Sequence, residues 1–426
     1  MPFRFVHAAD VHLDSPMRSL ALRDPELAEL VGNATRRAFT RIVGICLEEK
    51  VDALLLAGDL YDSDQTSMKT ARFLADEIRK LHAAGIGVFV IRGNHDALSK
   101  ITKELTFPDS VKIFGARADA IELARDRAAF PVTIHGLSFA KPHAPESLLS
   151  SYRPPTDGAV NIGLMHTSLD GSPGHDPYAP CRLVDLQDAG FSYWALGHIH
   201  GRTAVEGGSA VVMPGMPQGR DINEAGPKSV TLVTIADDRT MSLDERLTSV
   251  AQFERVAVDL SGIDVWRDMV DAVGHALERA RGSVPSEHLI ARLRLFGRTP
   301  LAWRLRHDID LLGTEAGARA AGAGKCWIEK VEIACDSPAT DASSGRAADP
   351  LVELRRLIDD DVMHAEGFRV DAASIARELR DQLPAECRAI LGMDEEAFAA
   401  NVAAAIRDGV EDVFARLRVA TSEPGG

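Results

Sequence analysis

The sequence predicts an α/β protein with a smaller α+β domain behind the main one and a helical segment at the C-terminus. Three observations carry this. Up to Thr248, short apolar runs rich in β-formers alternate with helical patterns, as in layered α/β domains. Past Thr248 the texture changes to alternating strands around a single helical pattern, and beyond Ala348 it becomes amphipathic and helical to about Arg418, with a disordered tail expected over Glu423–Gly426. In the first part, each apolar run stops at Asp, Asn or His.

Phe3–Ala8 reads as a strand ending at Asp10-Val11-His12. Thr35–Lys50 follows as a helix, because Phe39, Ile42, Val43, Cys46 and Leu47 repeat at the spacing of one helical face. Ala53–Ala57 is a buried strand ending at Gly58-Asp59, and Thr66–Ala84 is a helix with Phe73, Leu74, Ile78 and Leu81 on one side. Val88–Ile91 leads into Gly93-Asn94-His95-Asp96, Val160–Met165 into His166, and Tyr193–Leu196 into Gly197-His198-Ile199-His200. Later, Phe253–Leu260, Leu289–Leu295 and Trp327–Ile333 read as strands and Asp264–Arg281 as a helix. Ser337–Ala348 reads as a linker, and Asp349-Pro350 as the cap and first turn of a helix. The expected division is residues 1–248, 249–337 and 338–426.

Composition bounds the function classes. Hydrophobic residues make up 45% and charged residues 26%, as in globular proteins with a substantial core. No apolar run approaches the length that spans a bilayer, and the opening MPFRFVHAADVH has no signal-peptide core, so the expected location is cytoplasmic. The five cysteines are scattered without a C-x-x-C pair, which argues against a disulfide framework and a zinc knuckle. The net charge of −15 weighs against a stand-alone nucleic-acid binder, because phosphate neutralisation by basic side chains supplies most of such affinity.

In open α/β sheets, ligands bind beyond the carboxyl ends of strands. Asp10, His12, Asp59, Asn94, His166, His198 and His200 all follow strand ends, and mixed oxygen and imidazole donors suit manganese, iron or zinc. The expectation is a pair of divalent cations bridged by Asp59. Asp10, His12 and His200 would complete one site, and Asn94, His166 and His198 the other. Such a pair lowers the pKa of a bound water and polarises phosphoryl oxygens, which predicts hydrolysis of a phosphate ester. His95 is the candidate general acid, with Asp62 or Asp96 pairing to keep it charged. Asp14-Ser15-Pro16 reads as a helix cap.

The segments D-x-H, G-D, G-N-H-D, H and G-H-x-H, in this order, resemble the calcineurin-like metallophosphoesterases. The opening FVHAADVHLDSP and the segment PGMPQGR are similar to the bacterial DNA-repair exonuclease subgroup, the YhaO-like proteins related to the SbcD nuclease subunit. Met216 and Asp221 depart from that subgroup's PGNPQGRH pattern, while Gln218 and Arg220 keep it. The resemblance implies a metallophosphoesterase sandwich of two β-sheets flanked by helices, followed by an α+β capping domain. It also implies the ligand set above, a catalytic His95, and Mn2+ in preference to Fe, Zn or Mg. It implies DNA as substrate, an SMC/Rad50-like ATPase partner bound through C-terminal helices, and a homodimer. Arg292, Arg294 and Arg298 are either a basic strip for DNA or a solvated strand face. A small-molecule phosphatase or cyclic-nucleotide phosphodiesterase is the alternative on the same core, and the acidic charge favours it.

Overall fold

In the computed structural model, residues 2–15, 25–61, 67–97, 107–123, 129–170, 178–337, 350–383, 391–392 and 394–419 are described. The chain divides into two compact units. The first comprises Met1–Arg255, Arg279–Arg292 and Lys325–Glu329, and the second Val256–Glu278, Leu293–Gly324 and Lys330–Gly426.

Two six-stranded sheets build the first unit. One holds β1 (Phe3–Ala8), β2 (Ala53–Ala57), β3 (Gly87–Ile91), β4 (Val111–Ile113), β11 (Ser229–Ile235) and β12 (Met241–Leu247). Its order is β12-β11-β1-β2-β3-β4, with β1, β2, β3 and β4 parallel to one another and β11 antiparallel to β1. The other holds β5 (Asp119–Glu122), β6 (Val132–Gly136), β7 (Val160–His166), β8 (Tyr193–Gly197), β9 (Thr203–Val205) and β10 (Ala210–Met213). It runs β5-β6-β7-β8-β10-β9, with β6, β7, β8 and β10 parallel. The sandwich of two sheets flanked by helices is therefore present.

Alternation along the strands sorts the side chains into two layers. Phe3, Phe5, Leu55, Phe89 and Ile91 from one sheet pack with Ile134, Ile162, Leu164, Tyr193 and Val212 from the other, forming the core between them. Val6, Leu54, Leu56, Val88 and Val90 point the opposite way, against Phe39, Ile42, Val43 and Cys46 of α1 (Pro25–Glu48) and Leu74, Ile78 and Leu81 of α2 (Met68–Ala83). Each such leucine or phenylalanine contributes roughly 1.5–3 kcal/mol by burial. Helix α2 begins at Ser67, whose Oγ accepts the Thr70 N–H at 3.2 Å. The helix expected after Asp14-Ser15-Pro16 lies outside the described residues; the Asp14 carboxylate accepts hydrogen bonds from Arg36 and Thr70.

Downstream, β13 (Ala251–Asp259), β14 (His288–Arg298) and β15 (Cys326–Asp336) form a three-stranded sheet in that order. The second unit carries two helices that the sequence pattern does not predict, Ala302–His307 and Ile309–Ala323. Its C-terminal part is helical as expected, over Pro350–Leu357, Glu366–Gln382 and Glu395–Val419. There Arg306 pairs with Asp408 at 3.0 Å and Asp412 at 3.1 Å. Among the described residues, no helix is long and apolar enough to cross a membrane.

Candidate metal centre

The parallel register brings the predicted strand ends to one edge. The loops after β1 and β2 run side by side, with the Asp10 N–H donating to Gly58 O at 3.1 Å and the His12 N–H to Asp59 O at 3.0 Å. Across the sandwich, His166 at the end of β7 is paired in register with Gly197 at the end of β8. Asp10, His12, Asp59 and His198 all have positive φ, at 51°, 44°, 49° and 106°. Non-glycine residues in that region cluster where function holds them.

Two donor groups result. Asp10, His12 and His200 each offer an atom within 4.8 Å of the others, and so do Asp10, Asp59 and His166. Asp10 is common to both. Its carboxylate also accepts the His198 N–H, at 3.1 Å to Oδ1 and 3.0 Å to Oδ2. The Nε2 atoms of His12 and His200 face one another at 3.3 Å. His166 Nε2 lies 3.3 Å from Asp59 Oδ2 and 3.1 Å from Asn94 Oδ1, while its Nδ1 meets Ala57 O at 3.0 Å. The His198 ring stands edge-on to His166, with centroids 5.2 Å apart.

Glycines explain why three of the motifs begin as they do. A Cβ on Gly58 would lie 2.3 Å from His166 Nδ1, and one on Gly93 would lie 2.2 Å from Asp59 Oδ1. On Gly197 it would lie 2.1 Å from Ala57 O. At these three points the backbone packs directly against His166, Asp59 and the Ala57 carbonyl, leaving no room for a side chain.

The electrostatics fit a cation-holding site. Burial pushes the Asp10 carboxyl up, against the pull of the surrounding imidazoles. Burial opposes ionisation of Asp59 as well, but the facing His166 outweighs it and holds Asp59 below its usual range. Burial would lower His166, yet the Asp59 charge and hydrogen bond push it up to about 9. Buried carboxylates facing imidazoles are a donor set that divalent cations suit, since the cation supplies the positive charge and the imidazoles bind it in their neutral form.

His95 is exposed, donates its backbone N–H to Asp59 Oδ1 at 3.0 Å, and stacks edge-on against His12 with centroids 5.0 Å apart. Asp96 is buried, and its hydrogen bonds go to backbone: Oδ2 accepts the Leu60 N–H at 3.0 Å and Oδ1 the Gly93 N–H at 2.7 Å. It braces the two ligand loops. Burial, with the Asp59 charge, pushes its carboxyl up to about 7. Asp62 lies outside the described residues.

Sequence reasoning missed Glu224. This residue closes the short 3-10 turn Ile222–Glu224, capped by Asp221, and its Oε1 receives His200 Nδ1 at 2.8 Å. Arg220 donates to the same carboxylate from its backbone N–H at 2.7 Å and from Nη2 at 2.8 Å. No period or motif marks Glu224; the cue available was a carboxylate four residues after the arginine of PGMPQGR. Gln218 in that segment is buried and structural, its Oε1 accepting the Val250 N–H at 2.8 Å and its Nε2 donating to Ala251 O at 2.7 Å. Arg292 forms a two-point pair with Glu329, while Arg294 and Arg298 are exposed.

Comparison with known proteins agrees with this geometry. Residues 3–202 match the calcineurin-like phosphoesterase family, and residues 253–336 match the middle domain of metallophosphoesterase YhaO. The chain is 35% identical over 258 residues to an uncharacterized metallophosphoesterase, YhaO, of Bacillus subtilis, covering 60% of this chain and 63% of that one. It is 28% identical over 224 residues to the DNA double-strand break repair protein Mre11 of Sulfurisphaera tokodaii, covering 50% and 54%. With the Mre11 of Aeropyrum pernix the identity is 25% over 296 residues, covering 66% and 69%. The chain thus spans less than two thirds of the length of the first two of these relatives. Asp10, His12, Asp59, Asn94, His166, His198 and His200 all fall within the first matched region, and this chain carries a calcineurin-like metallophosphoesterase domain.

Proposed function

We propose that this chain is a two-cation phosphodiesterase that cleaves DNA as the nuclease subunit of a repair complex with an SMC/Rad50-like ATPase. The observation that carries the hydrolytic part is the pair of donor groups sharing Asp10. Asp59 stands beside Asp10 in the second group and is proposed as the ligand that bridges both cations, with Asp10, His12 and His200 completing one side and Asn94, His166 and His198 the other. Divalent cations held there, manganese in the first instance, would polarise the phosphoryl oxygens and acidify water.

The chain's own residues do the rest. A water that has lost one proton to solvent would attack phosphorus, forming the new P–O bond as the ester P–O bond breaks, and the departing alkoxide needs a proton. His95, exposed beside His12, is placed to give it. The backbone bond from His95 to Asp59 fixes where that ring starts.

DNA as substrate is supported by the likeness to proteins named for double-strand break repair, and by exposed Arg294 and Arg298. A partner-binding role for residues 338–426 is supported by Val370, Ile375 and Leu379, which leave apolar surface exposed on Glu366–Gln382. The proposed division remains a catalytic domain over residues 1–248, a capping domain over 249–337 and the partner-binding segment after it, in a cytoplasmic protein that forms a homodimer. The net charge of −15 favours the second reading, a small-molecule phosphatase or cyclic-nucleotide phosphodiesterase.

One experiment separates them. Purified protein with manganese is given linear DNA, a phosphomonoester and a cyclic nucleotide. The proposal expects DNA degradation that Asp59→Ala and His95→Ala abolish. Turnover of the small substrates alone overturns the nuclease reading. Deletion of residues 338–426 should abolish co-purification of an ATPase while metal binding persists.

A further inference from the structure

We propose that Glu224 is a positioning residue for His200, fixing its ring orientation and tautomer, and that Arg220 holds Glu224 in that role. This rests on reading the site as a two-cation centre.

His200 has two ring nitrogens with different tasks. Nδ1 meets Glu224 Oε1 at 2.8 Å, and a carboxylate oxygen can only accept, so Nδ1 carries the hydrogen. Nε2 then presents its lone pair toward His12 Nε2, 3.3 Å away, and the Asp10 group. A carboxylate behind a ligating imidazole fixes the tautomer and raises the basicity of the ligating nitrogen.

Glu224 is itself held rigidly. It is largely buried, with a side chain 13% exposed, and Arg220 grips it through both backbone and guanidinium. Asp221 Oδ1 accepts the Asn223 N–H at 2.7 Å and so caps the turn that delivers the carboxylate. The same loop holds the main chain of His200. The Met216 N–H donates to His200 O at 3.3 Å, and Gly215, at φ 75°, lies so close that a Cβ there would sit 2.8 Å from that oxygen. One loop thus grips both the backbone and the imidazole of a single ligand. This gives PGMPQGR a task at the site without any contact to substrate.

The test is calorimetric titration of the metal-free full chain with manganese chloride, comparing wild type, Glu224→Gln and Arg220→Lys. Glu224→Gln keeps the shape but loses the charge, and is expected to weaken one of the two binding steps by about 10–100-fold. Arg220→Lys loses the planar fork and should weaken the same step less. A general loosening of the fold would weaken both steps together and overturn the proposal, as would a Glu224→Gln isotherm identical to wild type. If Glu224→Gln fails to fold, judged by its metal-free melting curve, Arg220→Lys decides alone. A wild-type chain that binds no manganese overturns the two-cation reading itself and, with it, this inference.

Discussion

His12 Nε2 and His200 Nε2 lie 3.3 Å apart, although the residues are separated by 188 positions in the chain. Two imidazole nitrogens at the usual 2.0–2.1 Å from one tetrahedral ion lie about 3.3 Å from each other. The spacing is therefore one that a divalent ion shared by the two rings would accept. Replacing His200 with Ala should remove one manganese per chain and leave the group of Asp10, Asp59 and His166 able to bind the other. Metal content after dialysis against limiting manganese measures this, and an unchanged content contradicts it.

Removal of the cations should destabilise the fold. Asp10, Asp59 and His166 are buried together, and a ligand bound only to the native state at 100 times its dissociation constant adds about 2.7 kcal/mol. The melting temperature should rise with added manganese and fall with chelator. A melting temperature indifferent to both contradicts a cation in this cluster.

Gly93→Ala should damage the site from the backbone side. The new methyl would lie 2.2 Å from Asp59 Oδ1 and 2.7 Å from His166 Nε2. Relief requires displacing a ligand, with a stability loss of about 1–3 kcal/mol, as for overpacked cores. Metal affinity and the denaturant midpoint should both fall. Wild-type values for both would show that the loop accommodates the change freely.

Gln218→Ala tests the opposite role in the neighbouring loop. Its amide satisfies the Val250 N–H and Ala251 O, so truncation leaves buried backbone groups without partners, at about 1–3 kcal/mol each. The denaturant midpoint should drop while both manganese steps keep their affinity. Loss of metal affinity without loss of stability would reverse that assignment.

The acid side of the stability curve should carry the signature of His7. This residue sits inside β1, with Nδ1 2.9 Å from Tyr193 Oη and Nε2 3.0 Å from Leu196 O. Burial lowers its pKa from 6.5 to about 3. Between those values the unfolded chain binds a proton that the native chain does not, so stability falls as pH falls from 6.5 toward 3. His7→Gln should flatten that slope, read as urea midpoints at pH 7 and pH 5. An unaltered slope contradicts a neutral, buried His7.

Much of this was legible in sequence because burial and alternation mark strands strongly. Phe3–Ala8 and Ala53–Ala57 are the strands their apolar patterns predict, and the polar residues after them are the donors that meet in space. Asp96 was harder. Adjacency to His95 suggested a pair, whereas the chain's turn sends its carboxylate to the N–H groups of Leu60 and Gly93. Glu224 was hidden because it is recruited across the fold to His200 by a short turn with no repeating pattern. The helix Ile309–Ala323 escaped notice because its buried face is Leu312, Ala316 and Ala320, small residues that make a weak apolar stripe.

Asp10 is the residue on which both donor groups depend, and manganese stoichiometry with and without it tests the account most directly. The account predicts two manganese ions per wild-type chain, and fewer than one in Asp10→Ala at the same free concentration, with the far-ultraviolet spectrum unchanged. A wild-type stoichiometry below two, or an Asp10→Ala protein that binds as wild type does, would contradict the two-cation centre.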